Sequence, residues 1–391
     1  MNFKLALAAA AVVGLAGTAQ AADLAKKAPA AADYVKVCDA YGAGFFYIPG
    51  SETCLKIGGY VRVELRTGNH NATMAAPGIG LGSRTGENAL NSRVRTQLTF
   101  DARTNTEMGL LRSFIELWIT NNSATTGSNL VNMRNAFIQF AGLTAGRATS
   151  NFDFIEGGYN IGNLEPDTSD RRANLLAYTF AFGNGISATL GIEDQTTGDQ
   201  ALGWAQTNVK APNIVGNIAV AQAWGRAQLS LAFNENRNLG ASKWGYAVLG
   251  GVEVNLPMLG AGDKAFIQGI YADGAVDYTM NNTATGFGVL ARNWDGVNAN
   301  SKSWAISAGL NHNFSKAVEA NLGVSYLDYN DAAAANTRDY TSWVLGGDIR
   351  WKPVSGLTLA VALDYRSVDY APAGRASGNQ WMGTLRVQRS F

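Results

Sequence analysis

Histidine, cysteine and proline are scarce in this chain, and each scarcity narrows what it can do. There are two His, two Cys and eight Pro in 391 residues. Two separated histidines, His70 and His312, give no metal-ligand cluster, and no C-x-x-C occurs for zinc or redox work. No G-x-S-x-G is present, and the glycines at 78, 80 and 82 lack the spacing and strand–helix setting of a dinucleotide loop. No cofactor or metal ion is therefore expected. Charge is sparse as well, at 16% of residues against about 25% in ordinary soluble domains. With a net charge of only +1 there is no basic field, and no nucleic-acid partner is expected. Beyond the N-terminus no run of eighteen apolar residues exists, which excludes a membrane-spanning helix.

What the chain does contain begins with an export signal. Lys4 precedes the apolar stretch Leu5 to Gly17, and Ala19-Gln20-Ala21 fits the small-x-small cleavage rule, so residues 1–21 are expected to be removed. Without Lys4 the mature chain is formally neutral. Residues 22–56 read as a leader with a closed loop. In an exported chain Cys38 and Cys54 are expected to pair, which is worth about 3 kcal/mol in the chain-entropy account.

Residues 57–391 read as strands. Ile57, Gly59, Val61, Val63 and Leu65 share one face, while Tyr60, Arg62, Glu64 and Arg66 share the other. In 91–103, Val94, Thr96, Leu98 and Phe100 likewise oppose Arg93, Arg95, Gln97 and Asp101. Two physical homes suit such a strand: a soluble sandwich with its apolar face on a core, or a membrane barrel with its apolar face on lipid. Length favours the barrel. The runs have ten to thirteen residues, close to the roughly nine to eleven that cross a bilayer at a tilt and about twice a globular strand. Sixteen such segments can be placed, and short turns alternate with long connections. Residues 203–210 could form another strand, but adding it would break both that alternation and the even number. Tryptophans 118, 224, 244, 304, 343, 351 and 381 fall near strand ends, where interface girdles sit, although Trp118 is on the lumen-facing register.

The expected fold is therefore all-β, a transmembrane antiparallel barrel of sixteen strands with a long third loop folded into the lumen. That loop, 149–171, follows the strand pair around the reversal at Ala141-Gly142. It carries Asp153, Glu156, Glu165, Asp167 and Asp170 among Phe152, Phe154, Ile155 and Tyr159, with no base before Arg171. So long a loop is uncommon unless functional or disordered, and its apolar residues argue against disorder. Mid-strand arginines on the lipid face would cost about 2–4 kcal/mol each, so Arg62, Arg95 and Arg112 should point inward. Arg134, Arg147 and Arg172, which flank the strand pair and the loop, complete the expected wall side of a pore constriction.

The segment V-C-D-A-Y-G-A-G-F-F-Y-I-P-G-S-E-T-C-L-K-I-G-G-Y-V-R resembles the opening of the alphaproteobacterial general porins. P-N-I-V-G-N-I-A-V-A-Q-A-W-G-R-A-Q-L-S is similar to an internal signature of the same family, and A-F-I-Q-F-A-G-L-T-A-G-R resembles the strand pair before the constriction loop of general porins. The resemblance implies a bacterial outer-membrane homotrimer, bounded by outer-membrane lipid, through which small hydrophilic solutes and ions diffuse passively. It also implies a third loop whose carboxylates face wall arginines. The ending T-L-R-V-Q-R-S-F resembles the C-terminal signature read by the barrel assembly machinery, with Phe391 last and Arg389 as a departure. Three rivals remain at this stage: a barrel hydrolase, a plugged structural barrel, and a channel selective for one solute class.

Overall fold

The computed structural model describes residues 36–68, 89–122, 130–156, 159–162, 167–194, 210–238, 241–279, 300–332, 339–371 and 377–391. The expected signal peptide, His70, Glu165 and nearly all of 203–210 lie outside these residues. A short strand β1 (Phe46–Tyr47) precedes β2 (Cys54–Gly68), β3 (Ala89–Thr106), β4 (Gly109–Asn122), β5 (Leu130–Phe140) and β6 (Leu143–Thr149). There follow β7 (Arg172–Gly183), β8 (Ile186–Glu193), β9 (Asn213–Gln222), β10 (Gly225–Asn238), β11 (Ala241–Asn255) and β12 (Lys264–Asp273). The last are β13 (Lys302–Asn313), β14 (Val318–Asn330), β15 (Tyr340–Val354), β16 (Leu357–Tyr370) and β17 (Gly378–Ser390).

From β2 onward every strand pairs antiparallel with the next, and β17 pairs with β2 through registers such as Leu385↔Leu65. The sheet thus closes on itself as a sixteen-stranded barrel, with β1 attached outside the ring to the start of β2. Closure gives every strand of the ring a partner on both sides, as backbone within a bilayer requires. The reversal at Ala141-Gly142 is a two-residue hairpin with φ of 48° and 88°, the left-handed pair whose twist suits tight antiparallel connections.

Burial in this barrel is inverted relative to a soluble domain. On β2, Val61 is 44% exposed on the outside while its neighbour-but-two Glu64 is fully buried inside. The same alternation runs around the ring, with Leu190, Ile218, Leu229, Ile267, Leu322, Leu345 and Leu363 all outward and exposed. An aromatic row crosses the outer face of seven consecutive strands near their long-loop ends: Tyr246, Tyr271, Trp304, Tyr326, Trp343, Tyr365 and Trp381. Within it Trp304 and Tyr326 lie 5.1 Å apart, and Tyr326 and Trp343 4.6 Å. Trp118 faces inward, as its register requires.

Cys38 and Cys54 form a disulfide with Cα atoms 6.0 Å apart, closing the loop that leads into β2. Phe45 of that loop lies 4.9 Å from the Arg103 guanidinium on β3, and Thr53 bonds Thr104 at 3.0 Å, so the loop is stapled to the short-turn end of the wall. Replacing both cysteines with serine should cost about 3 kcal/mol of stability and leave single-channel conductance unchanged. Thermal unfolding followed by circular dichroism, beside bilayer recordings, checks this; an altered conductance would assign the staple a part in the pore.

Candidate functional site

The third long loop lies inside the barrel because its apolar residues and the inner faces of β10–β17 satisfy each other. Phe152 rests on Tyr278 at a ring separation of 4.6 Å, and Tyr159 meets Phe266 edge-on at 4.9 Å. Phe154 and Ile155 join Val215, Ala232, Ala247 and Leu249 in the largest apolar cluster among the described residues. Gly251 on β11 is needed there, since a side chain at that position would run into the Phe154 ring. Polar anchors continue the contact. Gln228 donates to the Asp153 carbonyl at 3.0 Å, and Gln268 both donates to the Ile155 carbonyl (3.0 Å) and accepts from its N–H (3.2 Å). Further along, the Tyr159 hydroxyl donates to Glu253 at 2.7 Å, the Ile161 N–H to Asp348 at 2.6 Å, and Arg386 to the Ile161 carbonyl at 3.0 Å. On the return leg the Asp167 N–H donates to Ser325 at 2.8 Å.

The loop carboxylates do not act as one row. Glu156 and Asp170 both bind Arg172, Glu156 at 2.5 Å. Asp167 is fully buried against the equally buried Arg366 of β16, 3.2 Å away. Asp153 accepts from the Arg171 N–H at 2.6 Å. Burial pushes its carboxyl well above the usual carboxylate range, although Ser169 and that N–H pull the other way. Glu165 lies outside the described residues. The expectation of five carboxylates facing the lumen is thus corrected at Asp153 and Asp167, whose place is in the packing that seats the loop. Position in a loop does not tell a seated charge from a presented one.

On the opposite wall Arg62, Arg95 and Arg112 lie on the inner faces of β2, β3 and β4, half-buried and open to the lumen. Arg134 joins them through a register shift where β4 meets β5, between Glu116 and Leu117. Trp118 stands between Arg95 and Arg134, each guanidinium 4.0 Å from the indole ring, a favourable geometry for both cations. Arg147 is different. It is the cross-strand partner of Ala136 and of Asn174, on the outward parity shared with exposed Ile138 and Leu176, and it donates to the Met133 carbonyl at 3.0 Å. The bulge at Arg134 moves the inward parity of β5 to Asn135 and Phe137, which turns Arg147 away from the lumen; one residue of slip exchanges the two faces.

Three arginines not foreseen as site residues converge on Glu64: Arg66 at 2.5 Å, Arg93 at 2.6 Å and Arg386 at 2.7 Å. Alternation puts Glu64 and Arg66 on the inner face of β2, but the meeting depends on the registers Glu64↔Arg93 and Arg386↔Glu64 across three strands. Arg171 is bound to Asp277 and stacked 4.4 Å over Tyr278, fixing the loop's exit.

Known proteins agree with this architecture. The porin Omp2b of Brucella suis biovar 1 (strain 1330) is 30% identical over 411 aligned residues that span all of both chains. The outer membrane channel DcaP of Acinetobacter baumannii shares the fold with a TM-score of 0.72 at 17% identity, over 88% of this chain and 99% of that one. The trimer form of OmpT, an outer membrane protein of Vibrio cholerae, matches with a TM-score of 0.53 at 11% identity, over 87% of this chain and all of that one. The model of the porin subfamily matches residues 23–385, and with the closed barrel, the inward loop and a full-length relative this chain belongs to that subfamily, an outer-membrane porin.

Proposed function

We propose that solutes cross each barrel through a constriction between the seated third loop and the arginine wall of β2–β5, that three copies assemble around a common axis, and that no chemistry is performed on the solute. The observation that carries the first point is the division of the lumen. The loop is hydrogen-bonded along β10–β17, and Arg62, Arg95, Arg112 and Arg134 line the side it leaves open. Of the two loop carboxylates that hold Arg172, Glu156 has the more open side chain, at 34% exposure against 17% for Asp170. A field directed from this wall toward the loop would align dipolar hydrophilic solutes, while water and small ions pass.

Assembly as a homotrimer is supported by the outer surface. The aromatic row covers β11–β17, where lipid would meet the belt, while β5–β7 carry Val131, Met133, Arg147 and Asn174 facing outward near their long-loop ends. An arginine facing lipid costs from about 0–1 kcal/mol near the interface to about 2–4 at mid-depth, which a second copy covering that arc would avoid. Membership of the subfamily and the Vibrio cholerae trimer favour the same stoichiometry. Phe391 ends the chain on the outer face, 61% exposed, with its backbone paired to Gly59, a place suited to reading by the assembly machinery. Planar-bilayer recording tests the proposal: ohmic conductance closing in three equal steps is expected, and single independent steps would overturn the trimer.

The hydrolase reading weighed above calls for a Ser or Asp activated by a histidine. His312 is instead held by Asp263 at 2.5 Å beside a short turn. The double change His70→Ala and His312→Ala should leave permeation of small sugars into proteoliposomes intact, and loss of a solute-converting activity in that variant would reverse the non-catalytic reading.

A further inference from the structure

Among the described residues, like charges stand directly opposite each other twice on the inner wall, and the two cases are handled differently. Arg103 and Arg112 are cross-strand partners on β3 and β4. Asp101 lies between them, accepting from Arg103 at 3.0 and 2.7 Å and from Arg112 at 2.9 and 3.1 Å. A carboxylate of the protein thus relieves a pairing that would otherwise be unfavourable. Glu64 does the same for Arg66, Arg93 and Arg386 one strand over.

Arg62 and Arg95 are also direct cross-strand partners, on β2 and β3. Among the described residues neither has a carboxylate within ion-pair distance. Glu64, two positions from Arg62, is already shared by three other arginines. What the protein supplies is orientation. Arg62 donates through Nε to Gln388 at 2.8 Å and stacks 4.4 Å over the Tyr60 ring. Arg95 donates through Nε to the Thr120 hydroxyl at 3.0 Å and lies 4.0 Å over Trp118. Both planes are therefore fixed by a ring and by the inner nitrogen, while the outer Nη groups have no protein acceptor among the described residues. Both side chains are half-exposed to the lumen.

We propose that Arg62 and Arg95 form an oxyanion subsite in the pore wall, which binds the carboxylate or phosphate group of a passing solute as Asp101 is bound by the neighbouring pair. The inference deepens the constriction reading and rests on it. Two preoriented guanidinium forks match the planar, multidentate geometry of these groups better than that of a spherical halide. A site inside a conducting pore must also release its ligand, so half-exposed donors with a dissociation constant of roughly millimolar suit the purpose.

The test is single-channel recording in potassium chloride with inorganic phosphate or succinate added to one side. The expected result for the full-length protein is brief current interruptions whose frequency saturates at about millimolar additive. Arg62→Gln with Arg95→Gln should raise the half-saturating concentration by about tenfold or more while chloride still conducts, which also shows that the variant folds. Arg62→Lys with Arg95→Lys keeps the charge and loses the forks, so it should weaken the interruptions nearly as much. Normal chloride conductance with no saturable effect of either oxyanion, or a lysine variant that binds as tightly as the native protein, would overturn the subsite and leave the pore standing. Failure of every form to conduct would instead strike at the constriction reading itself.

Discussion

Arg366→Ala is expected to unseat the third loop and enlarge the open channel. Arg366 and Asp167 are both fully buried, and their contact at 3.2 Å joins the loop's return leg to β16. Removing one partner of a buried ion pair costs about 3–5 kcal/mol, because the remaining charge is left in a poor environment. The barrel does not depend on this pair: its hydrogen-bond ladder runs unbroken from β2 to β17 and back. The cost therefore falls on the loop's docked state, whose escape becomes easier by about two to three and a half orders of magnitude, at about 1.4 kcal/mol for each tenfold. Single-channel conductance should rise, and gating noise should appear as the loop leaves and returns. Adding Asp167→Asn to Arg366→Ala removes the stranded charge and should relieve part of the effect. Unchanged conductance and quiet traces in Arg366→Ala would show that the apolar contacts of Phe152, Phe154 and Ile155 hold the loop alone.

The second large effect is expected at Glu64. This one carboxylate is fully buried and holds Arg66, Arg93 and Arg386, which crowd the same stretch of wall as Arg62 and Arg95. Glu64→Gln keeps the shape and deletes the carboxylate that these three arginines share. Stability should fall by several kcal/mol, about 3–5 if the arginines cannot move apart. Selectivity should change as well. A unit charge about 8 Å from the ion path acts on it with roughly 2 kcal/mol at an effective dielectric of 20. Salt at physiological strength screens over about the same distance, so a severalfold shift toward anions is expected at low salt, fading as salt rises. Reversal potentials across a salt gradient measure it. The Arg386 contact to the Ile161 carbonyl gives a second readout, since a loosened loop tip would raise conductance too. A reversal potential that stays put at low salt would mean that the cluster is screened from the permeation path.

The barrel itself was legible in the chain. Alternation of period two, strands long enough for a bilayer, turns of alternating length and the Trp positions are local properties. Lipid makes the outward face of each strand apolar whatever its partner strand is. Ile57 to Leu65 show this directly, as do Arg62 and Arg95, whose inward direction follows from the cost of charge in hydrocarbon. The third loop could be found by its length and its mixture of carboxylates and aromatics, and the cysteine pair by the compartment.

Which charges meet was decided only by the tertiary structure. Glu64 and Arg386 are 322 positions apart and come together because the last strand closes on the first. Asp167 reaches Arg366 across the lumen, so a carboxylate that looks free in the loop becomes a buried anchor. The bulge at Arg134 turns Arg147 from the wall of the pore to the outside, because one extra residue exchanges the two faces of a strand. A strand's own pattern carries its environment. Register, bulges and contacts across the lumen depend on residues far away along the chain, and no local pattern encodes them.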